Sequence, residues 1–241
     1  MHQSTIYLKA FWGSILLALL LLTACESQEK KVAITTIDSE FDASEDDWVV
    51  GLANYRTDSD TALIKWRNGS ALLPAPLDTT SYGLYLSCTN LGDGATMYLS
   101  KKISGLKPSA AYELTVALTM ASNIFADSVN TKGSPATMVY LKAGTSTVAP
   151  DTATLEGFYR LNVDMGAPSQ ENDRFKILGD ISNSLALKEY HLVERSLPTP
   201  LSFMTNSSGE TWLLIAVDSD YADITSLYFD RLRIDIRSSI E

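Results

Sequence analysis

From Tyr112 to Met120 the chain alternates without a break: Tyr112, Leu114, Val116, Leu118 and Met120 are separated by Glu113, Thr115, Ala117 and Thr119. Side chains of an extended strand point alternately to its two faces, so a period of two gives one face to a core and one to the outside. Leu232, Ile234 and Ile236 alternate in the same way with Arg231, Arg233 and Asp235. Further strands are expected over residues 82–89, 96–103, 137–143, 158–163, 175–178, 190–194 and 212–217. Turn-forming residues punctuate them, among them Asn90 to Gly94, Ser104-Gly105, Gly133-Ser134-Pro135, Ala149-Pro150-Asp151 and Ser207-Ser208-Gly209. No long stretch carries apolar residues at helical spacing; residues 184–189 suit a turn or two of helix at most. The expected fold class is all-β, a two-sheet antiparallel β-sandwich.

Ahead of this pattern, an apolar run from Ala10 to Leu22 follows a short segment whose only charged side chain is Lys9. Thirteen residues are too few to span a bilayer, which needs about 20, but they suit a secretory signal. Leu22-Thr23-Ala24-Cys25 resembles the bacterial lipobox, in which the signal is cut before the cysteine and its thiol is lipidated. Cys25 is therefore the expected lipid-bearing residue, and two or three acyl chains make such an anchor stable. Glu26 follows it where an Asp resembles an inner-membrane retention signal, so the outer membrane is expected over the inner in a double-membraned cell. The expected organisation is a signal peptide over residues 1–24, a lipidated tether over 25–37 and one domain over 38–241.

Loss of residues 1–24 takes Lys9 from the 19 bases and none of the 29 acids, moving the net charge from −10 to about −11. A nucleic-acid partner is excluded on this account, because no basic stripe is present to displace counterions. The two cysteines are Cys25 and Cys88, so with Cys25 lipidated no disulfide can form within the chain. The domain must be held by an ordinary core, and about 200 residues suffice to build one. Cys88, within Leu84-Tyr85-Leu86-Ser87-Cys88, reads as a small buried hydrophobe.

Residues 103–114, with Gly105-Leu106-Lys107-Pro108 leading into Tyr112-Glu113-Leu114, resemble the edge hairpin of jelly-roll carbohydrate-binding modules. Leu227-Tyr228-Phe229-Asp230-Arg231-Leu232 is similar to the last strand of such galactose-binding-like domains. The resemblance implies a jelly roll and a glycan partner. It also implies a structural calcium between first and last strands, which would recruit Asp42 or Asp47 and Asp230. A second resemblance rests on Phe41 with Trp48 to Tyr55, Ser134-Pro135 with Val139 to Gly144, Asn162-Val163-Asp164, Ser208 to Trp212 and Asp218-Ser219. Together these look like a family of exported bacterial proteins without an assigned activity. The chain departs from that pattern at Asn54, where an acid is usual, and at Asp220-Tyr221-Ala222-Asp223, where a glycine-rich turn is usual.

Little in the inventory suits catalysis. His191 is the only histidine of the mature chain, and no motif surrounds any serine, so triad and zinc chemistry are disfavoured. Two acidic groups, Asp42-Glu45-Asp46-Asp47 and Asp218-Asp220-Asp223, offer oxygen ligands of the kind calcium prefers, though not at the spacing of a twelve-residue loop. Glu156, Asp164, Glu171 and Asp173 could supply paired carboxylates for glycoside hydrolysis only if two stood across a cleft. Sugar binding needs aromatic faces beside hydrogen-bonding groups. Among the available rings, Trp48 and Trp212 read as core, whereas Tyr55 and Trp66 stand beside Arg67 and Asn68 and are the expected ligand-binding residues. The leading expectation is a membrane-anchored, non-catalytic module for a carbohydrate or similar polar ligand. A lipoprotein that docks another protein comes second and an acid-base glycan hydrolase third.

Overall fold

The computed structural model describes residues 34–42, 44–183 and 185–239. The expected signal peptide, Cys25 and residues 25–33 of the tether lie outside them. In chain order the strands are β1 (Ile34–Ser39), β2 (Val49–Ala53), β3 (Tyr55–Arg56), β4 (Arg67–Leu72), β5 (Tyr82–Thr89), β6 (Ala95–Ile103), β7 (Ala111–Ser122) and β8 (Val139–Ser146). They continue as β9 (Thr152–Leu155), β10 (Phe158–Leu161), β11 (Phe175–Asp180), β12 (His191–Ser196), β13 (Leu201–Met204), β14 (Thr211–Ser219) and β15 (Ile224–Ser238). Helical turns occupy Thr61–Ile64 and Pro135–Met138.

The architecture is the expected antiparallel sandwich of jelly-roll type. Sheet A has the order β12-β7-β15-β5-β4, with β1 also on β15 and β13 also on β7; sheet B has the order β11-β8-β14-β6-β2. The long strands β5, β6, β7 and β8 alternate between the two sheets, as do β14 and β15. A small third sheet, β3-β10-β9, stands apart.

The different sequence patterns of the two sheets have a structural cause. Sheet A packs one face on the core, through Leu84, Leu86, Leu114, Val116, Leu118, Met120, Leu227, Phe229, Leu232 and Ile234, which accounts for its clean alternation. Sheet B is covered on both faces. Leu213, Ile215 and Val217 face sheet A, while Leu214 and Ala216 pack on the other side with Tyr98, Val163, Met165 and Phe175. A strand buried on both faces reads as a continuous apolar run, as Trp212 to Val217 does.

Along one edge of β15, β5 pairs as far as Phe229 and β1 takes over from Leu232. The register with β7 shifts between Phe229 and Arg231, so Asp230 is a bulge residue at that junction. The residues behind the carbohydrate-module resemblance do not make the expected hairpin: β6 lies in sheet B and β7 in sheet A, so residues 104–110 carry the chain across from one sheet to the other, with Gly105 at φ 81, Leu106 packed against the core, and the buried Tyr112 accepting a hydrogen bond from the Lys107 amide at 3.0 Å.

Some boundaries differ from expectation. Residues 34–37, read as tether, belong to β1 and pair with β15. Thr137 and Met138, read as strand, close a helical turn that Pro135 opens, because proline's fixed φ suits a first helical turn. The strand expected over 158–163 ends at Leu161 and lies in the third sheet.

Candidate functional site

Because Leu84, Leu86, Leu227 and Phe229 point into the core, the residues between them must point outward from sheet A. Register then places Tyr228 opposite Tyr85 and Ser226 opposite Ser87. The Tyr85 and Tyr228 ring centroids lie 4.8 Å apart with planes tilted by 44°, and Tyr190 meets Tyr228 edge-on at 5.7 Å. Such spacings are those of favourable aromatic pairs. Beside the rings, the Ser87 and Ser226 hydroxyls share a hydrogen bond of 2.7 Å, and the Tyr85 hydroxyl donates to Ser226 Oγ at 3.5 Å. On the edge strand, Tyr85 is partnered by Gly69, whose absent Cβ would have no atom within 4 Å. That side of the ring row is open.

All three tyrosines are half-buried. Burial raises the phenol pKa of Tyr190 and of Tyr228, and neighbouring phenols raise each further. Both rings therefore stay neutral at physiological pH and keep a hydroxyl donor.

Tyr190 and Ser226 also line a cleft of about 410 Å³. Asn123, Asn130, Lys188 and Asp223 provide its polar groups, and Val129 and Ile224 its exposed apolar rim. Asn130 Nδ2 donates to the Tyr221 hydroxyl at 2.6 Å, and Asn183 Nδ2 donates to the Glu189 carbonyl at 2.9 Å, bracing the segment that carries Tyr190. The Ile224 amide donates to the Asp223 carboxylate at 2.9 Å, and Lys132 pairs with it at 3.3 Å; together they outweigh burial and hold that carboxyl below its usual range.

Of the residues expected to bind ligand, only Arg67 joins this face: it is exposed, and it is paired with Ser87 in the outward row. Asn68 is exposed but pairs with the core residue Leu86, placing it in an inward row. Tyr55 and Trp66 pack partly buried against the core, and the Tyr55 ring lies 5.0 Å from that of Tyr159 in the third sheet. Trp48 is core, as expected, with its Nε1 donating to Ser39 Oγ at 3.0 Å. Sequence reasoning missed Tyr85, Tyr190 and Tyr228. For two of them a signal existed, since each stands singly between apolar inward residues.

Among the described residues no group of three or more His, Cys, Asp or Glu side chains is gathered to hold a metal. Burial raises the Asp230 carboxyl pKa and the charges of Asp42 and Glu40 raise it further, so Asp42 lies within electrostatic reach of Asp230. Asp42, Asp47 and Asp230 do not form such a group of three.

A second cleft, of about 580 Å³, opens over the outer face of sheet B. Asn54, Asn162, Val163, Asp164, Asp218 and Ser219 all line it, so segments quoted for the second family resemblance converge there. Behind it Lys142, wholly buried, pairs with Asp218 at 3.2 Å and donates to the carbonyls of Met165 and Ala167 at 3.1 and 2.5 Å. Thr96 donates to the other Asp218 oxygen at 2.7 Å, and Asn54 donates to Thr96 at 2.7 Å. Burial outweighs these partners and raises the Asp218 carboxyl pKa.

No protein-family model and no curated protein matches the chain. Among solved structures it is similar to the K1 cleaved adhesin domain of Lys-gingipain from Porphyromonas gingivalis W83, at 12% identity and a TM-score of 0.39, over 83% of this chain and 97% of that one. A cyclase from Fischerella sp. TAU matches at 11% identity and a TM-score of 0.40, over 86% and 100%. TmCBM61, solved in complex with β-1,4-galactotriose, matches at 10% identity and a TM-score of 0.28, over 83% and 86%. At these scores none of the three bears on what this chain binds.

Proposed function

We propose that this domain is a non-catalytic module that binds a glycan along the outer face of sheet A, carried on a membrane by lipid attached to Cys25. The observation behind the reading is the row of Tyr85, Tyr228 and Tyr190 with the Ser87–Ser226 hydroxyl pair beside it. Sugar rings present apolar C–H faces edged by hydroxyls, and a pyranose laid on tyrosine faces meets both an apolar surface and hydroxyl partners. The adjoining cleft adds amide groups from Asn123 and Asn130, which suits a chain of several sugars better than a single one. The membrane anchor is supported by Leu22-Thr23-Ala24-Cys25 and the apolar run before it.

Hydrolysis is the weaker reading. Among the described residues Asp223 is the one carboxylate in the lining of the tyrosine cleft, and it is paired with Lys132. The sheet B cleft has four, but both oxygens of Asp218 are engaged and Asp164 accepts the Gly166 amide at 2.9 Å. A protein ligand is the second reading, favoured by the exposed aliphatic side chains of Val129, Leu192 and Ile224 around the tyrosine row.

A glycan array probed with the domain and with a Tyr85→Ala/Tyr228→Ala variant of matched melting temperature tests the proposal. Retention of glycans by the wild type and their loss from the variant is expected. No retention by the wild type, or equal retention by both, overturns it.

A further inference from the structure

Cations on this acid-rich chain are mostly engaged. Arg231 pairs with Asp38 at 2.6 Å, Arg237 with Glu113 at 2.8 Å, Arg195 with Asp180 at 2.9 Å and Lys102 with Glu210 at 2.9 Å. Six cations make neither an ion pair nor a side-chain hydrogen bond among the described residues: Lys65, Lys107, Arg160, Arg174 and the pair Arg67 and Lys188. Arg67 and Lys188 border the tyrosine row. Arg67 heads the outward row that runs across the sheet through Ser87 to Ser226, and Ser226 and Lys188 line the same cleft. The only acid in that lining among the described residues, Asp223, is already neutralised by Lys132, and Lys65 stands within electrostatic reach of it as well. Arg67 and Lys188 thus stand beside the tyrosine row without an ion-pair partner among the described residues, on a protein whose net charge is −10.

Resting on the glycan reading above, we infer that the sugar bound here bears a carboxylate, as a uronic or sialic acid does, and that Arg67 and Lys188 receive it over the Ser87–Ser226 hydroxyl pair. Strands in a sheet lie about 4.8 Å apart, so Arg67 on β4 is two strand spacings from Ser226 on β15, within reach of its long side chain across the row. The planar guanidinium can grip a carboxylate through two parallel hydrogen bonds, whereas Lys188 supplies a point charge. The part-exposed Ser226 and Tyr85 hydroxyls remain for the ring oxygens, while the buried Ser87 holds Ser226 in place from below. A neutral sugar would leave both cations in water and gain only the stacking.

Isothermal titration separates this inference from the reading beneath it. Oligogalacturonates and their carboxyl-reduced counterparts would be titrated into the wild type, Arg67→Gln, Lys188→Gln and Tyr228→Ala, alongside an array of uronate-bearing, sialylated and neutral glycans. The acidic form is expected to bind at least tenfold more tightly than the reduced one. Arg67→Gln and Lys188→Gln should each narrow that gap at unchanged melting temperature, rising salt should close it, and Tyr228→Ala should weaken both forms. Equal binding of acidic and reduced forms, still lost in Tyr228→Ala, overturns the carboxylate and leaves the glycan face standing. Binding of no glycan on the array overturns both.

Discussion

The ammonium of Lys142 and the carboxylate of Asp218 lie 3.2 Å apart with the lysine fully buried, where β8 and β14 run side by side. Lys142, held by Asp218, ties the 165–167 segment onto sheet B through the Met165 and Ala167 carbonyls. Removing one partner of a buried pair leaves an uncompensated charge, which costs about 3–5 kcal/mol. Lys142→Met should therefore lower the unfolding free energy in urea by about that amount, and adding Asp218→Leu to it should restore a large part. A loss below about 1 kcal/mol for the single variant would show that the pair does not hold the segment.

Arg195 of β12 in sheet A reaches Asp180 of β11 in sheet B, and so joins neighbouring edges of the two sheets. Burial pushes the Asp180 carboxyl up, but hydrogen bonds from Ser182 and Arg195 outweigh it and hold the carboxyl below its usual value. A carboxyl with a depressed folded pKa contributes stability that is complete above its unfolded pKa and is lost as pH falls through the folded one. The stability difference between wild type and Asp180→Asn should thus be largest near neutral pH and shrink on acidification below about pH 4. Urea titrations across that range check it; a difference that grows on acidification would reverse the assignment.

Cys25 lipidation makes a separate prediction. Mass spectrometry of the native protein should find the chain beginning at residue 25 with a diacylglyceryl adduct, and Cys25→Ser should release the domain from the membrane fraction. A bare Cys25 on membrane-bound protein would remove the anchor.

The parts of the fold legible in the sequence are those whose alternation is imposed by burial on one face. β5 begins and ends at the expected residues, and β7 was found to within a residue or two, because inward Leu and Val alternate with outward polar residues. The edge strands β11 and β12 fall on expected strands, whereas other edge or short strands were not legible. Arg67–Leu72 reads as a polar loop with a glycine in it, and it is a strand because β5 offers a ladder on that side. Val49–Ala53 and Leu201–Met204 are largely apolar but only five and four residues long, too short to show a period. The site was hidden for a further reason. Tyr85 and Tyr228 each appear as one ring in an apolar stretch, and only the register between strands far apart in the chain sets them side by side. Trp66 and Tyr55 have polar sequence neighbours, yet both rings pack on the core, which local composition does not encode.

The central claim is that the Tyr85–Tyr228–Tyr190 row is the binding face, and tyrosine-ring NMR of the folded domain tests it most directly. During titration with a glycan retained on the array, the ring signals of Tyr85, Tyr190 and Tyr228 should shift together and saturably, while the buried Tyr112 ring stays in place. Shifts confined to the Asn162–Asp164 and Asp218–Asp220 cleft, with the three rings unmoved, would contradict it.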